Sequence, residues 1–314
     1  MKHLGLFLRG LLAVLAAVVI AACSGAGGGG GTSGTTPGVS DITTATTWQA
    51  GQVYTVNGSL SVSAKLTIEP GAVIKFEPYS NYGSLLTVTS TGQIDAQGTP
   101  VNPIVFTSTK GSPAAGDWGG IIVDGNSSIF TYCTFSYGGN GAGAVLTITG
   151  PGTSVAHCTF TSNVIALDAS AAGLGTTVSA NEFYANATGS STVFPLWIDK
   201  NVALDDQNVF VRADLTGPNV PQGIQIYGTI SSDLTLQSTR APYVIDGVPV
   251  VSAKLTINPG VTVKFMKYSN YGAGLTVTGQ IAASGTPALP IKFTSVNDGS
   301  SVTPALAGAG FPIV

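Results

Sequence analysis

Apolar and polar residues alternate along short stretches of this chain. Residues 62–69 read VSAKLTIE, and every second residue is apolar. This period of two is typical of a β-strand with one buried face. The Pro-Gly dipeptide that follows predicts a turn, after which Ala72, Ile74 and Phe76 are expected to point inward. Helix-forming stretches are scarce, so the pattern predicts an all-β fold of short strands.

The alternating pattern occurs twice in closely similar form. The segment VSAKLTIEPG at 62–71 returns as VSAKLTINPG at 251–260, with nine of ten residues identical. The two copies stay in step until Ser108 and Ser295. Such self-similarity indicates a repeat architecture. We expect residues at matching inward positions to be buried in both copies; these pairs are Leu86 with Leu275, Ile94 with Ile281, Ile104 with Ile291 and Phe106 with Phe293.

A longer period separates similar side chains between the two copies. Phenylalanines recur at intervals of 25, 23 and 27 residues, as Phe135, Phe160, Phe183 and Phe210. Two positions before them stand Cys133, Cys158, Asn181 and Asn208. A parallel β-helix returns like side chains to the same place, about 4.8 Å further along its axis, once per coil. The spacing therefore predicts a parallel β-helix of about ten coils, with aromatic columns inside and an Asn column at a turn.

Three segments, LTIEPGAVIKF, GTPVNPIVFTS and GDWGGIIV, carry a resemblance to a known family. They resemble bacterial exported proteins with a right-handed parallel β-helix, the pectate-lyase-like superfamily, and within it cell-surface lipoproteins. The resemblance covers roughly residues 50–295. It implies the fold but not an activity, because many such proteins have no assigned reaction.

We divide the chain into a signal peptide at 1–22, a lipidated Cys with a Gly/Ser/Thr-rich tether at 23–45, a first block at 46–235 and a second block at 236–314. The second copy of the repeat lacks the GDWGG segment that follows the first copy. We therefore expect an irregular or incomplete C-terminal coil with an open strand edge.

The N-terminus predicts export and a lipid anchor. Lys2 and Arg9 precede an apolar stretch that is too short to span a bilayer, and it ends at Ala22-Cys23. Small residues before a Cys resemble the bacterial lipobox, which implies lipidation of Cys23; an ordinary secretory signal is the alternative. Ser24 after the Cys implies, in that family, the outer membrane. The expected location is the outer membrane or cell surface, with the bilayer as partner through acylated Cys23.

The amino-acid composition limits the classes of binding partner that we expect. Only 9% of the residues are charged, the formal net charge is −3, and the chain contains 42 Gly and 17 Pro. A weakly acidic chain without a basic patch is not expected to bind nucleic acid. The expected partners are instead a polysaccharide or another surface protein.

Candidate catalytic groups are few. Polysaccharide lyases need a basic residue beside a calcium cluster, and glycoside hydrolases need paired carboxylates. After the leader, the chain has one His, His157, and two Arg, so we assign no catalytic residue. Asp205 and Asp206 form the only adjacent acidic pair. In a strand their side chains would point to opposite faces, whereas in a turn they could bind calcium or be solvated.

Aromatic side chains are the remaining candidates for binding a sugar. The segment YSNYG occurs in both copies and supplies Tyr79, Tyr82, Tyr268 and Tyr271. Tyr rings can stack on sugar faces, or they can clamp a loop against the coil below. Trp118 in GDWGG and Trp197 in PLWID allow the same two interpretations.

Cys133 and Cys158 occupy equivalent positions in neighbouring coils. An oxidising compartment would permit a disulfide between them. Parallel side chains in register seldom present the torsion that a disulfide requires, however, so free thiols are favoured.

The sequence as a whole predicts a structural, adhesive or binding β-helix without catalytic activity. The alternative is a carbohydrate-active enzyme, either a polysaccharide lyase or a glycoside hydrolase, or a carbohydrate-binding module on the same fold. No cofactor is expected, apart from calcium at Asp205 and Asp206 in the alternative interpretation of that pair.

Overall fold

The chain folds as a right-handed parallel β-helix. In the computed structural model, the structure describes residues 39–78, 83–140, 143–186, 194–210, 223–226, 228–239, 241–266 and 272–298. These residues form 28 β-strands and no α-helix, and the paired strands are parallel. The predicted all-β solenoid is therefore confirmed. Within the described ranges, no helix is long and apolar enough to cross a membrane.

One sheet runs the whole length of the solenoid, and we call it sheet 1. Its ten strands agree with the predicted number of coils. They are β3 (Ser59–Val62), β6 (Leu85–Val88), β9 (Gly120–Val123), β12 (Ala144–Ile148), β15 (Ile165–Ala169), β18 (Leu196–Ile198), β20 (Ile224–Ile226), β22 (Tyr243–Ile245), β25 (Thr262–Phe265) and β28 (Lys292–Ser295).

Two further sheets accompany the first part of sheet 1. Sheet 2 contains β1 (Thr46–Trp48), β4 (Lys65–Ile68), β7 (Gln93–Gln97), β10 (Ile129–Thr131), β13 (Ser154–Ala156), β16 (Thr176–Ser179) and β19 (Val202–Leu204). Sheet 3 contains β2 (Val53–Val56), β5 (Val73–Phe76), β8 (Ile104–Ser108), β11 (Cys133–Ser136), β14 (Thr159–Thr161) and β17 (Glu182–Tyr184).

Two smaller sheets accompany the last part of sheet 1. Sheet 4 contains β21 (Leu234–Leu236), β24 (Lys254–Ile257) and β27 (Gln280–Ala283). Sheet 5 contains β23 (Val250–Val251) and β26 (Thr276–Val277). Sheets 2 and 3 therefore end where sheets 4 and 5 begin, while sheet 1 continues.

The predicted aromatic column fills the interior. Phe106, Phe135, Phe160, Phe183 and Phe210 stack face to face, with centroids 4.9, 4.8, 5.0 and 5.0 Å apart. These spacings match the separation of neighbouring strands, so each ring lies on the ring of the coil below. All five rings are buried.

The predicted Asn column is also present, and it has a counterpart at another corner. The Asn181 side-chain amide donates to Asn208 Oδ1 over 3.1 Å, at the turn between sheets 2 and 3. Asn163 and Asn186 form a second pair of this kind, with the Asn163 amide donating to Asn186 Oδ1 over 2.9 Å. All four side chains are buried. This second pair was not predicted from the sequence, although Asn163 and Asn186 follow Phe160 and Phe183 of the column by three residues each.

The two copies of the repeat occupy different sheets. In the first copy, strand β5, which contains IKF, pairs with β2 and β8 in sheet 3. In the second copy, the equivalent strand β25, which contains VKF, pairs with β22 and β28 in sheet 1. The second copy is therefore rotated by one sheet around the solenoid, which explains why sheets 2 and 3 are not continued.

The start of the solenoid corrects one predicted boundary. Residues 39–45 were expected to belong to the tether, yet Ile42 pairs with Val62 and is buried. Val39 packs against the core as well, and its N–H donates to Thr55 O. These two apolar side chains cover the first coil, so the folded body includes residues 39–45.

The last described coil leaves predicted core positions exposed. Ile94 and Phe106 in the first copy are 0% exposed, whereas their partners Ile281 and Phe293 are 36% and 48% exposed. Strands β26, β27 and β28 are the terminal strands of their sheets. Side chains that point inward need a following coil to bury them, and the described residues supply none beyond β28.

We expect the Asn181→Ala variant to lose stability, because Cys158 N–H and Val155 C=O both bond to the Asn181 side chain inside the core. Leaving such groups unpaired costs about 1–3 kcal/mol each, so the free energy of unfolding should fall by at least about 2 kcal/mol. Urea unfolding followed by circular dichroism measures this change. The exposed Asn126 provides a control, since Asn126→Ala should change stability by less than about 0.5 kcal/mol. Equal effects of the two variants would contradict the role of the column.

Candidate functional site

The outer face of sheet 1 carries a row of residues, most of which lie outside the two copies of the repeat. Along each strand, alternate side chains point into the core, as Leu167, Leu196 and Ile224 do. The residues between them point outward and lie side by side on successive strands. This outer row consists of Thr147, Asp168, Trp197, Gln225, Val244 and Lys264.

Trp197 lies at the centre of the outer row. It is partly buried, and it lies between Asp168 on β15 and Gln225 on β20. Neighbouring strands in a sheet are about 4.8 Å apart, so a carboxylate and an amide flank the indole at this spacing. An aromatic ring with a few polar groups placed beside it is a common feature of sites that bind small ligands.

Further carboxylates follow the strands of sheet 1. Asp124, Asp199 and Asp246 come directly after the inward residues Val123, Ile198 and Ile245, so alternation turns them to the outer face. Asp199 accepts hydrogen bonds from Asn201 N over 2.8 Å and from Asn201 Nδ2 over 3.2 Å. Burial raises the pKa of the Asp199 carboxyl. Asp168 lies on the same face.

Gln225 is the most enclosed polar member of the outer row. Its side chain is 4% exposed. The Nε2 atom donates to Asp246 Oδ2 over 3.1 Å, and this carboxylate fixes the orientation of the amide. The Oε1 atom is buried and accepts no hydrogen bond in the structure. A buried acceptor without a donor lowers the stability of the folded protein, which points to a donor that is not among the described residues.

Two lysines on this face already interact with groups of the protein itself. Lys200 Nζ lies 3.7 Å from Asp199 Oδ2, and Lys264 Nζ donates to Asp298 O over 2.9 Å. Around Trp197 the outer face therefore presents mainly hydrogen-bond acceptors and negative charge. Hydroxyl or amino groups of a ligand would supply the matching donors.

Trp118, a predicted sugar-binding residue, lies instead in the core. Its side chain is 0% exposed. The ring stacks on Phe76 with centroids 4.0 Å apart, and Nε1 donates to Ser136 O over 2.9 Å. The sugar-stacking interpretation does not hold for this residue, because the GDWGG segment uses its Trp to fill the solenoid.

The predicted tyrosines Tyr79, Tyr82, Tyr268 and Tyr271 and the predicted lipidation site Cys23 lie outside the described residues. His157 is exposed, and its ring stacks on Tyr132 at 4.8 Å, at the turn between sheets 2 and 3. The structure does not bring it near the outer row's strands in sheet 1.

Asp205 and Asp206 lie in a turn that lines a surface cleft of about 500 Å³. Asp205 Oδ1 accepts from Ala180 N, Gln207 N and Asn208 Nδ2, so it holds the turn and the Asn column together. Asp206 is exposed. No three His, Cys, Asp or Glu side chains of the described ranges are grouped to hold a metal ion.

Cys133 and Cys158 are buried free thiols in the structure. Each donates weakly to backbone carbonyls of its own corner, Cys133 to Ala96 O and Cys158 to Phe130 O. Burial raises the pKa of the Cys133 thiol. They act here as small core residues that continue the Asn column.

The outer row was missed by the sequence analysis, apart from the ambiguous Trp197. Asp168 and Gln225 stand in segments without a recognisable motif, and the coils that bring them together have unequal lengths. Aligning the coils on their buried leucines and isoleucines would have revealed the row, because Trp197 is then flanked by two polar residues.

These observations define a class of protein, a right-handed parallel β-helix with an acceptor-rich outer face on its continuous sheet. Residues 40–195, just under half of the chain, match the family model described as a pectate-lyase like beta helix domain. Neither the comparison with curated proteins nor that with solved structures gave a match.

Replacing Trp118 by Ala should lower the free energy of unfolding by about 3–5 kcal/mol, since it leaves a large cavity above Phe76. Thermal unfolding followed by circular dichroism measures the loss. Trp118→Phe keeps a ring on Phe76 and should cost clearly less. If Trp118→Ala were as stable as the unmodified protein, the core position of this ring would be wrong.

Proposed function

We propose that the protein is a non-enzymatic, glycan-binding β-helix held at the outer membrane or cell surface by a lipid on Cys23. The single observation that carries the glycan-binding part is the position of Trp197, a partly buried ring flanked by Asp168 and Gln225 on the outer face of sheet 1. The match of residues 40–195 to a pectate-lyase-like β-helix domain supports this proposal.

The geometry of the outer row suits a chain-like ligand. The row runs along the solenoid axis, across the strands, and its members repeat at the spacing of about 4.8 Å between strands. Val244 is only 1% exposed, so a linear glycan can lie along the part of the row from Thr147 to Gln225, with one sugar ring on Trp197 and its hydroxyls on the flanking side chains. Binding of this kind needs no moving part and no acid–base pair.

A purely structural or adhesive role is the second candidate. It is favoured by the last described coil, where Ile281 and Phe293 are exposed beside the terminal strands β27 and β28. Exposed strand edges with apolar side chains promote association with further strands. A polysaccharide lyase or glycoside hydrolase on the same fold is the third, and turnover of a bound glycan would identify it.

We expect the Trp197→Ala variant to bind glycans at least about tenfold more weakly, because the variant loses both the apolar area that the ring buries and a stacking contribution of about 0.5–1.5 kcal/mol, and tenfold corresponds to about 1.4 kcal/mol. A glycan array identifies ligands of the unmodified protein, and isothermal titration calorimetry compares the variants. Trp197→Phe should retain part of the affinity.

Thr134→Ala on the outer face of sheet 3 provides a control and should bind normally. If no glycan bound, or if Trp197→Ala bound as well as the unmodified protein, glycan binding at this face would be wrong. Release of shortened products from a bound glycan would instead establish the enzymatic alternative.

The Cys23→Ser variant should lose its membrane association, because the acyl chains that hold the protein would have no attachment site. Metabolic labelling with radioactive palmitate and partitioning into a detergent phase measure the change. Ser24→Ala keeps the Cys and should still be labelled. Equal labelling of the Cys23→Ser variant would show that the lipid is elsewhere.

A further inference from the structure

The outer face of sheet 1 offers acceptors where a typical polysaccharide site offers both donors and acceptors. Asp168 Oδ1 accepts from Ser170 N over 2.9 Å, and no hydrogen bond to its Oδ2 atom is formed within the described residues. Across Trp197 lies Gln225, whose Oε1 atom is buried and accepts no hydrogen bond. The Trp197 ring is thus flanked on both sides by oxygen atoms that can still accept a hydrogen bond.

Near Trp197 this face carries more negative than positive charge. Asp168, Asp199 and Asp246 are turned outward there, and Lys200 lies 3.7 Å from Asp199, whereas Lys264 is three strands away on β25. A uronate or sulfate group on a ligand would meet these carboxylates and be repelled. The face therefore disfavours an acidic glycan.

An amino group fits this arrangement better than a hydroxyl. A protonated amine has three donors and no acceptor, so it can bond to several oxygens without leaving a lone pair unmatched. It also compensates the negative charge beside Trp197, and hydrogen bonds to a charged group are about twice as strong as neutral ones. The enclosed Gln225 Oε1 supplies one acceptor, and Asp168 supplies the charge.

We propose that the ligand of the outer face is a glycan with free amino groups, whose sugar ring stacks on Trp197 and whose ammonium group lies on Asp168. This inference rests on the proposed glycan binding and specifies the chemical class of the ligand. Gln225 accepts a second hydrogen bond from the same or the following sugar.

The experiment compares three oligosaccharides of equal length by isothermal titration calorimetry with the purified protein. They are a β-1,4-linked glucosamine hexamer, its fully N-acetylated form and the glucose hexamer of the same linkage. We expect the glucosamine hexamer to bind at least about tenfold more tightly than the other two at low ionic strength and mildly acid pH. An oligogalacturonate of similar length should not bind.

Two variants distinguish specific binding at Asp168 from general attraction by the negative charge of the protein. Asp168→Asn should reduce the preference for the amino form to nearly none, because the glucosamine hexamer loses its charged partner and should lose far more affinity than the uncharged glucose hexamer. Asp124→Asn removes the same charge from the same face, three strands away from Trp197, and should keep the preference. Because the chain is acidic as a whole, equal loss in both variants would overturn the site, since it would show attraction by net charge only.

The remaining outcomes distinguish the two proposals. Equal or tighter binding of the glucose or N-acetylated hexamer overturns the amino-glycan inference and leaves glycan binding intact, as does tighter binding of oligogalacturonate. Failure of all four oligosaccharides to bind overturns the inference and, together with an empty glycan array, the proposed function as well.

Discussion

The structure depends on the stacking of each coil on the coil below through parallel backbone hydrogen bonds. Because these bonds fix the axial spacing, the side chains of successive coils meet at the distance at which rings stack and amides pair. The Phe column from Phe106 to Phe210 and the pair Asn181–Asn208 are direct results. Interior residues must therefore be similar from coil to coil, which is why the sequence repeats.

Outward positions do not have this constraint, so they can carry residues that occur once. On sheet 1 this freedom places Asp168, Trp197 and Gln225 side by side, although they are 29 and 28 residues apart in the chain. The backbone hydrogen bonds that require similar interior residues in every coil also hold these three outer side chains in a fixed row. A surface of this kind can bind a linear ligand at little entropic cost.

Sheet 1 can hold such a surface because it alone continues through the change between the two halves of the solenoid. Where the second copy begins, its strands are rotated by one sheet, so sheets 2 and 3 stop and sheets 4 and 5 start. The turn of Asp205 and Asp206 lines a cleft together with residues that directly follow the sheet 4 strands β21 and β24. The residues of the repeated passage therefore determine how a strand packs on the neighbouring coil, but not which sheet the strand joins.

The sequence by itself determined the all-β solenoid, the inward positions and the columns of Phe and Asn, because burial and the period of two act locally on every coil. It could not show that Trp118 is buried while Trp197 is flanked by Asp168 and Gln225. Those facts depend on coil lengths, which vary with every turn and decide which residues become neighbours. Only the tertiary structure set that register, and with it the rotation of the second copy and the outer face of sheet 1.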